Sequence, residues 1–386
     1  MASIIMFKPS LRALVVLISL VFRPTQPFLY TAIPHRFAHG NALQNSPLET
    51  TSSSLPSSDW ENLGGNYILR PPSDVAVRAV IHFLGGAFVG AAPHVTYRYL
   101  LHGFAQQGYL VVTTPYRLGF DYLEVCDSVL ECFERAAVPL AKQYGALPVV
   151  GMGHSCGALL QVYITCLFPD TPRAANALIS FNNKPVSTFA LYQFFDVLCD
   201  GSKYCISCFH RFPCSLVQVK EAIPVFEEVV VPVASTVMAD TREGRQLRES
   251  LASGRKVLVD GIEYITESSP FPDSTVTELR QDVQAGIDLI DQLPGLLRMI
   301  AEGAVEFSPT PDETRESCRR MYSARRTLLL KFENDAIDES DDLEAVIQEA
   351  KDIMRLKRPM VNFDIRFETI SGTHITPLTQ VGINNI

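Results

Sequence analysis

The chain has 386 residues, of which 47% are hydrophobic and 19% charged, and its net charge is −9. This composition predicts a packed globular core of one large or two ordinary domains and excludes wholesale disorder. The acidic balance argues against nucleic acid as the main partner, because a phosphate backbone needs a basic surface. The nine cysteines are odd in number, and Cys126, Cys132, Cys156 and Cys166 fall in stretches that read as core elements. Mostly reduced thiols are therefore expected, not a disulfide scaffold.

The first 58 residues read as a targeting segment. Lys8 and Arg12 precede a short apolar run, Ala13 to Phe22. That run is shorter than the roughly 20 residues a membrane span requires, but it suits a signal-peptide core. Residues 23–58 are rich in Ser, Thr and Pro and poor in acid, like a plastid transit peptide, and Phe28 supplies the aromatic residue such presequences often carry. The expectation is a two-part address to a plastid, with secretion the alternative.

The folded chain is expected to begin near residue 59. Leu63 to Pro72 reads as a short strand among turn residues, and Ala76 to Leu84 as a buried strand stopped by Gly85-Gly86. Tyr97 to Gln107 has helical spacing, Tyr109 to Thr114 is a buried strand, and Tyr122 to Tyr144 is helical. Pro148 to Met152 is a strand, Ala158 to Leu167 an apolar helix, and Ala177 to Phe181 a strand. Short apolar runs alternating with helix-length segments predict a mostly parallel sheet with helices on both faces. The rhythm breaks over residues 186–323, which carry cysteines, Pro-rich turns and amphipathic stretches such as Val276 to Leu293. It resumes with strands at Arg326 to Phe332 and Val361 to Ile370, and a helix near Leu343 to Leu356 between them. The predicted organisation is a core of residues 59–185 and 324–386, with a large cap, residues 186–323, inserted before the last two strands.

Gly153-His154-Ser155-Cys156-Gly157 matches G-x-S-x-G. The pentapeptide alone is a weak signal. Here it directly follows a strand and opens an apolar helix, the strand–turn–helix context of a nucleophile elbow. The glycines are needed because larger side chains would meet neighbouring backbone. The helix N-terminus favours developing negative charge at the serine. The predicted nucleophile is Ser155.

Acyl transfer creates an oxyanion, which needs backbone N–H groups already aimed at it. One is expected from Cys156 and another from Gly86 or Ala87, in the loop Leu84-Gly85-Gly86-Ala87-Phe88. That loop resembles the His-Gly-Gly-Gly loop of some esterases and lipases, with Leu84 in place of its His. A serine also needs a base, and the base an orienting carboxylate, in the chain order Ser, acid, His. Asp335, just past the strand ending at Phe332, is the expected acid. Asp338 is the runner-up, with a helix cap as its plainer role. His374, in Ser371-Gly372-Thr373-His374-Ile375-Thr376-Pro377, is the expected base. His82, His94, His102 and His154 come before or at the nucleophile, the wrong order for a base. His154, Asn182 and Asn183 are candidates for lining the pocket, turn chemistry being the plainer role of the two asparagines.

Four segments, Ile81 to Leu101, Gly153 to Leu160, Ala175 to Pro185 and Glu306 to Thr314, resemble a plastid and cyanobacterial family called domain of unknown function thirteen-fifty. The resemblance spans about residues 60–377 and implies an α/β-hydrolase fold, a plastid location and a Ser–Asp–His triad, but no substrate. The Cys-rich segment departs from it. Cys199, Cys205, Cys208, His210 and Cys214 could close a zinc site, but no second paired half follows at the usual distance, so free thiols are the plainer reading and no metal or cofactor is expected. The aromatic run Phe189, Tyr192, Phe194 and Phe195 reads first as packing, and as an acyl pocket second.

The function these readings point to is hydrolysis of a carboxylic ester, from a small molecule or lipid, through an acyl-enzyme. Peripheral contact with a membrane fits such a substrate. The alternatives are an acyltransferase using the same residues and a non-catalytic binding or scaffold protein on the same fold.

Overall fold

A computed structural model describes residues 59–171, 173–184, 235, 238–268, 273–304, 306–357 and 363–378. The targeting segment, the aromatic run at 189–195 and the Cys199–Cys214 cluster lie outside the described residues. Eight strands form one sheet: β1 (Trp60–Leu63), β2 (Asn66–Leu69), β3 (Ala79–Leu84), β4 (Tyr109–Thr113), β5 (Val149–His154), β6 (Ala175–Ile179), β7 (Arg326–Asn334) and β8 (Asp364–Thr373). Their spatial order is β1-β2-β4-β3-β5-β6-β7-β8. β1 and β2 run antiparallel to their neighbours, and the pairs from β4 to β8 are all parallel.

The first strand read from the sequence is in fact a hairpin. Gly64 and Gly65 both take positive φ, +61° and +89°. A two-residue turn of that conformation folds a strand back on itself, and glycine adopts it without steric cost. Strand β8 extends to Thr373, so the expected base follows the strand directly.

The parallel strands β3 to β7 are buried on both faces, which explains their continuous apolar runs, while the edge strand β8 stays partly exposed. Side-chain alternation sorts them into two layers. Ile81, Phe83, Val111, Met152, Ile179 and Leu330 pack with Leu100, Leu101 and Phe104 of α1 (Arg98–Gln106). The opposite face is covered by α2 (Tyr122–Tyr144), α3 (Cys156–Leu167) and, further on, α7 (Pro311–Met321) and α8 (Ser340–Lys357). Asp121 caps α2 by accepting from the N–H groups of Leu123 and Glu124.

Between β6 and β7 the described part of the insertion forms α4 (Arg242–Ser268), α5 (Asp273–Ile290) and α6 (Leu293–Ala301). The core resumes earlier than residue 324. Phe307 stacks on Phe120 and Tyr122, and α7 buries Thr314 and Cys318 in the main core cluster's layer. Helix α7 is started by a capping box, with Thr310 and Glu313 each bonding the other's backbone and Pro311 at the first position. The sequence reading assigned α7 to the cap because the breaks in rhythm before it masked this signal.

Candidate active site

The expected functional residues converge on one edge of the sheet. Ser155 follows β5, Asp335 follows β7, His374 follows β8, and the Gly85–Phe88 loop follows β3. All four lie beyond the carboxyl ends of parallel strands, where open α/β sheets bind their ligands.

Ser155 has φ 56° and ψ −121°, a sparsely populated conformation for a non-glycine residue. Such strain costs of order 1–3 kcal/mol and persists where the surroundings over-determine it. Here they do. The Ser155 N–H donates to the Ile179 carbonyl at 2.9 Å. A β-carbon on Gly153 would lie inside contact distance of the Gly157 backbone, and one on Gly157 inside that of the Leu84 and Gly85 carbonyls. Two glycines thus allow β5, the start of α3 and the loop after β3 to meet backbone to backbone.

His374 Nδ1 lies 2.8 Å from Asp335 Oδ2, and the Asp335 side chain is fully buried. Burial opposes ionisation of Asp335. The hydrogen bond from His374, with the electrostatic attraction of that ring, outweighs it, and the carboxyl sits below its usual range. The Ser180 hydroxyl stands close enough to assist without making a well-formed hydrogen bond of its own. The His374 loop is held by the Thr373 N–H donating to Thr376 Oγ1 at 2.8 Å. A β-carbon on Gly372 would come 2.8 Å from Phe332, which accounts for the glycine in this loop.

Ser155 Oγ and His374 Nε2 are buried and, like the Ser180 hydroxyl, have no partner among the described residues. They do not hydrogen-bond each other in this structure, as is common before a substrate tightens a catalytic pair. Buried polar atoms are nearly always satisfied, so orphans at a strained serine and an oriented imidazole point to chemistry.

Asp338 does other work. Its carboxylate accepts from the Ser340 N–H at 2.8 Å and the Ser340 hydroxyl at 3.0 Å, at the start of α8. Burial, with the charge of Asp335 adding to it, raises it to about 7. Asn182 and Asn183 make turn contacts: Asn182 Oδ1 accepts from the Lys184 N–H, the Asn183 N–H donates to Glu339 Oε2, and its side chain reaches the Pro311 carbonyl. None of these bonds reaches Ser155, Asp335 or His374. His82 is locked in the sheet between Thr114 and Arg173.

The Gly85–Phe88 loop and the start of α3 depart from the expected pair of free donors. Cys156 and Ala87 are buried and, among the described residues, no hydrogen bond takes up their N–H groups. The Gly86 N–H is already engaged, donating to the Tyr97 hydroxyl at 2.7 Å. The Cys156 thiol is pushed up to about 12 by burial and stays protonated. Phe88 sits at φ 59°, ψ −60°, in a strained γ-turn closed by the Val89 N–H on the Ala87 carbonyl at 2.7 Å. Its carbonyl accepts from Gln292 Nε2 at 3.1 Å, and Gln292 Oε1 accepts from the Leu118 N–H at 3.2 Å. Gln292 lies between α5 and α6, so the insertion grips the Gly85–Phe88 loop directly. Tyr97 and Gln292 were missed in the sequence. Nothing local marks a glutamine as a clamp, and Tyr97 read only as the start of a helix.

The sheet order and the strained strand–turn–helix at Ser155 after the fifth strand define an α/β-hydrolase fold. The chain belongs to the family described as "Protein of unknown function (DUF1350)", whose model matches residues 59–207 and 275–383. No curated protein matches it in sequence. Among solved structures it is similar to the thioesterase domain from the curacin biosynthetic pathway, at 14% identity and TM-score 0.39 over 83% of this chain and 94% of that one. It is also similar to the enol-lactonase from Burkholderia xenovorans LB400, at 12% identity and TM-score 0.38 over 82% and 93%. At such values the fold rests on the sheet order and the elbow themselves.

Proposed function

We propose that the protein is a serine hydrolase acting on carboxylic esters through Ser155, His374 and Asp335. The observation that carries this reading is the buried, unpartnered pair of Ser155 Oγ and His374 Nε2, with the other face of His374 held by Asp335. Since the Asp335 carboxylate can only accept, His374 carries its proton on Nδ1, which leaves Nε2 free to take the serine proton. Ser155 Oγ then attacks the ester carbonyl, and Asp335 stabilises the imidazolium that forms. The N–H groups of Cys156 and Ala87 face the negative oxygen, the roles that position along the elbow and loop gives them. His374 returns the proton to the departing alcohol. Water, activated in the same way, then releases the acid.

Fluorophosphonate labelling of the purified folded protein tests this. Wild type should label, while Ser155→Ala should not label and His374→Ala should label about 10⁴-fold or more slowly. A folded wild type that fails to label, or a Ser155→Ala protein that labels as fast, would refute it.

A further inference from the structure

Beside the triad lies a buried hydrogen-bond chain that the proposed reaction does not use. Its protons can be assigned unambiguously. His154 Nε2 is 2.9 Å from the His374 carbonyl oxygen, which can only accept, so Nε2 carries a proton. Burial, with the neighbouring His374 adding to it, lowers the His154 pKa to about 3, so the ring is neutral and Nδ1 is a bare acceptor. The Tyr97 hydroxyl, 2.8 Å away, therefore donates to Nδ1. The same hydroxyl accepts from the Gly86 N–H at 2.7 Å. The chain runs from the oxyanion loop through Tyr97 and His154 to the backbone of the base.

The loop is shaped around this tyrosine. A β-carbon on Gly85 would come 2.8 Å from the Tyr97 ring, and one on Gly86 3.2 Å from its hydroxyl, 3.4 Å from His154 Nδ1 and 3.5 Å from the Ser155 β-carbon. Tyr97 is fully buried, edge-on to Phe83 with centroids 4.7 Å apart. The paired glycines after β3 admit the Tyr97 ring to the back of the nucleophile.

We infer that Tyr97 and His154 are positioning residues, whose hydrogen-bond chain ties the oxyanion loop, the nucleophile elbow and the base loop into one rigid unit. This rests on the serine-hydrolase reading above. Neither residue touches substrate. They hold the Gly86 segment, and hence the Ala87 N–H, in fixed relation to the His374 imidazole. Misplacement of a reacting group by about 1 Å costs roughly 10²-fold in rate, so loss of the chain should slow chemistry well beyond its effect on folding.

The test is the fluorophosphonate labelling rate, normalised to folded protein, for wild type, Tyr97→Phe, His154→Ala and His154→Gln. Tyr97→Phe keeps the ring and removes the hydroxyl, and labelling should slow ~10- to 100-fold. His154→Ala should slow it as much, and His154→Gln should recover part, since its amide N–H can still reach the His374 carbonyl. Ring-¹⁵N-labelled histidine gives a readout independent of activity. NMR at neutral pH should show His154 protonated at Nε2, with an Nδ1 signal that moves in Tyr97→Phe.

Unchanged labelling of Tyr97→Phe would overturn the inference while leaving the hydrolase reading intact. Faster labelling would also overturn it, by making Tyr97 a competitor for the Gly86 N–H. A His154 protonated at Nδ1 would break the chain itself. A folded wild type that does not label would instead overturn the hydrolase reading, and with it any role in catalysis for the chain.

Discussion

Replacing Gly157 by Ala probes the contact on which the whole site is built. An added β-carbon would stand 2.6 Å from the Leu84 carbonyl carbon and closer still to two carbonyl oxygens. Ordinary carbon–carbon contact is about 3.5 Å, so α3 and the loop after β3 must part by roughly 0.9 Å. Both neighbours are backbone, and no flexible side chain can give way. Overpacking of this kind costs ~1–3 kcal/mol, and the helix-propensity gain of Gly→Ala offsets at most ~1 kcal/mol. The expected net loss is about 1–2 kcal/mol, or roughly 2–4 °C in Tm. The same displacement separates the Cys156 N–H from the oxyanion loop, so labelling should slow by about 10²-fold. Gly261→Ala is the control. It lies inside helix α4 with nothing within 4 Å of its would-be β-carbon, so it should gain ~0.5–1 kcal/mol and label normally. Thermal melts and labelling time courses on the two variants decide the matter. A Gly157→Ala protein that melts and labels like the control would refute the backbone-to-backbone contact.

Asp335→Asn should cut labelling by about 10⁴-fold, because an amide facing His374 Nδ1 no longer enforces its tautomer. Asp338→Asn should label within about twofold of wild type and melt higher at pH 8, where the native carboxylate, raised to about 7, is ionised in a buried site. Stability should fall between pH 7 and pH 5. His94 (about 4), His154 (about 3) and His82 stay neutral when folded but protonate near 6.5 when unfolded, so the stability they contribute above 6.5 is lost as pH drops. Asp338 opposes this, its contribution being full below its unfolded value of 3.8 and lost as pH rises through 7, and Asp288 and Glu339 act in the same sense. His102, also lowered by burial, joins these three histidines, and against the carboxyls unfolding should take up protons on balance, an uptake that Asp338→Asn should increase; urea titrations across this range would expose a flat profile if the assignment is wrong. Gln292→Ala removes the partner of the buried Leu118 N–H and one of two hydrogen bonds on the Phe88 carbonyl, which keeps that from the Ala91 N–H; it should cost about 1–3 kcal/mol, measurable by denaturant titration, while slowing labelling.

The sheet and the convergence of Ser155, Asp335 and His374 were legible because their signals are local. Ser155, Asp335 and His374 each follow a run that reads as a strand, and strand ends place such residues on a common rim without knowledge of tertiary contacts. Gly153 and Gly157 were legible for the reason the structure displays, backbone meeting backbone. The features that escaped depend on partners distant in sequence. Tyr97 gains its role only when β3, β5 and the loop after β8 are adjacent, and Gln292 acts across 204 residues on Phe88. The choice between Asp335 and Asp338 turned on three residues of offset, which the path of the chain past β7 decides. Two misses had local signals. Gly64-Gly65 is a hairpin turn, and Thr310-Pro311-Asp312-Glu313 is a helix start, yet each was absorbed into a longer stretch read as a single unit.

The γ-turn at Phe88 bears on how this protein could be cut down or recombined. A minimal core made by splicing residue 184 to residue 306 would delete Gln292 along with the cap. The strained loop would lose the hydrogen bond that steadies its outer edge, and the buried Leu118 amide would be left bare. Leu296 and Ile300, which belong to the main apolar cluster, would go too. A natural seam for exchanging caps between relatives lies instead upstream of Asp282, whose carboxylate pairs with Arg98 of the core at 3.7 Å, so that Asp282, Gln292 and Leu296 stay with the core they touch. A graft that respects it would carry the clamp along with the body it secures, so substrate access could be redesigned while the oxyanion loop keeps its shape.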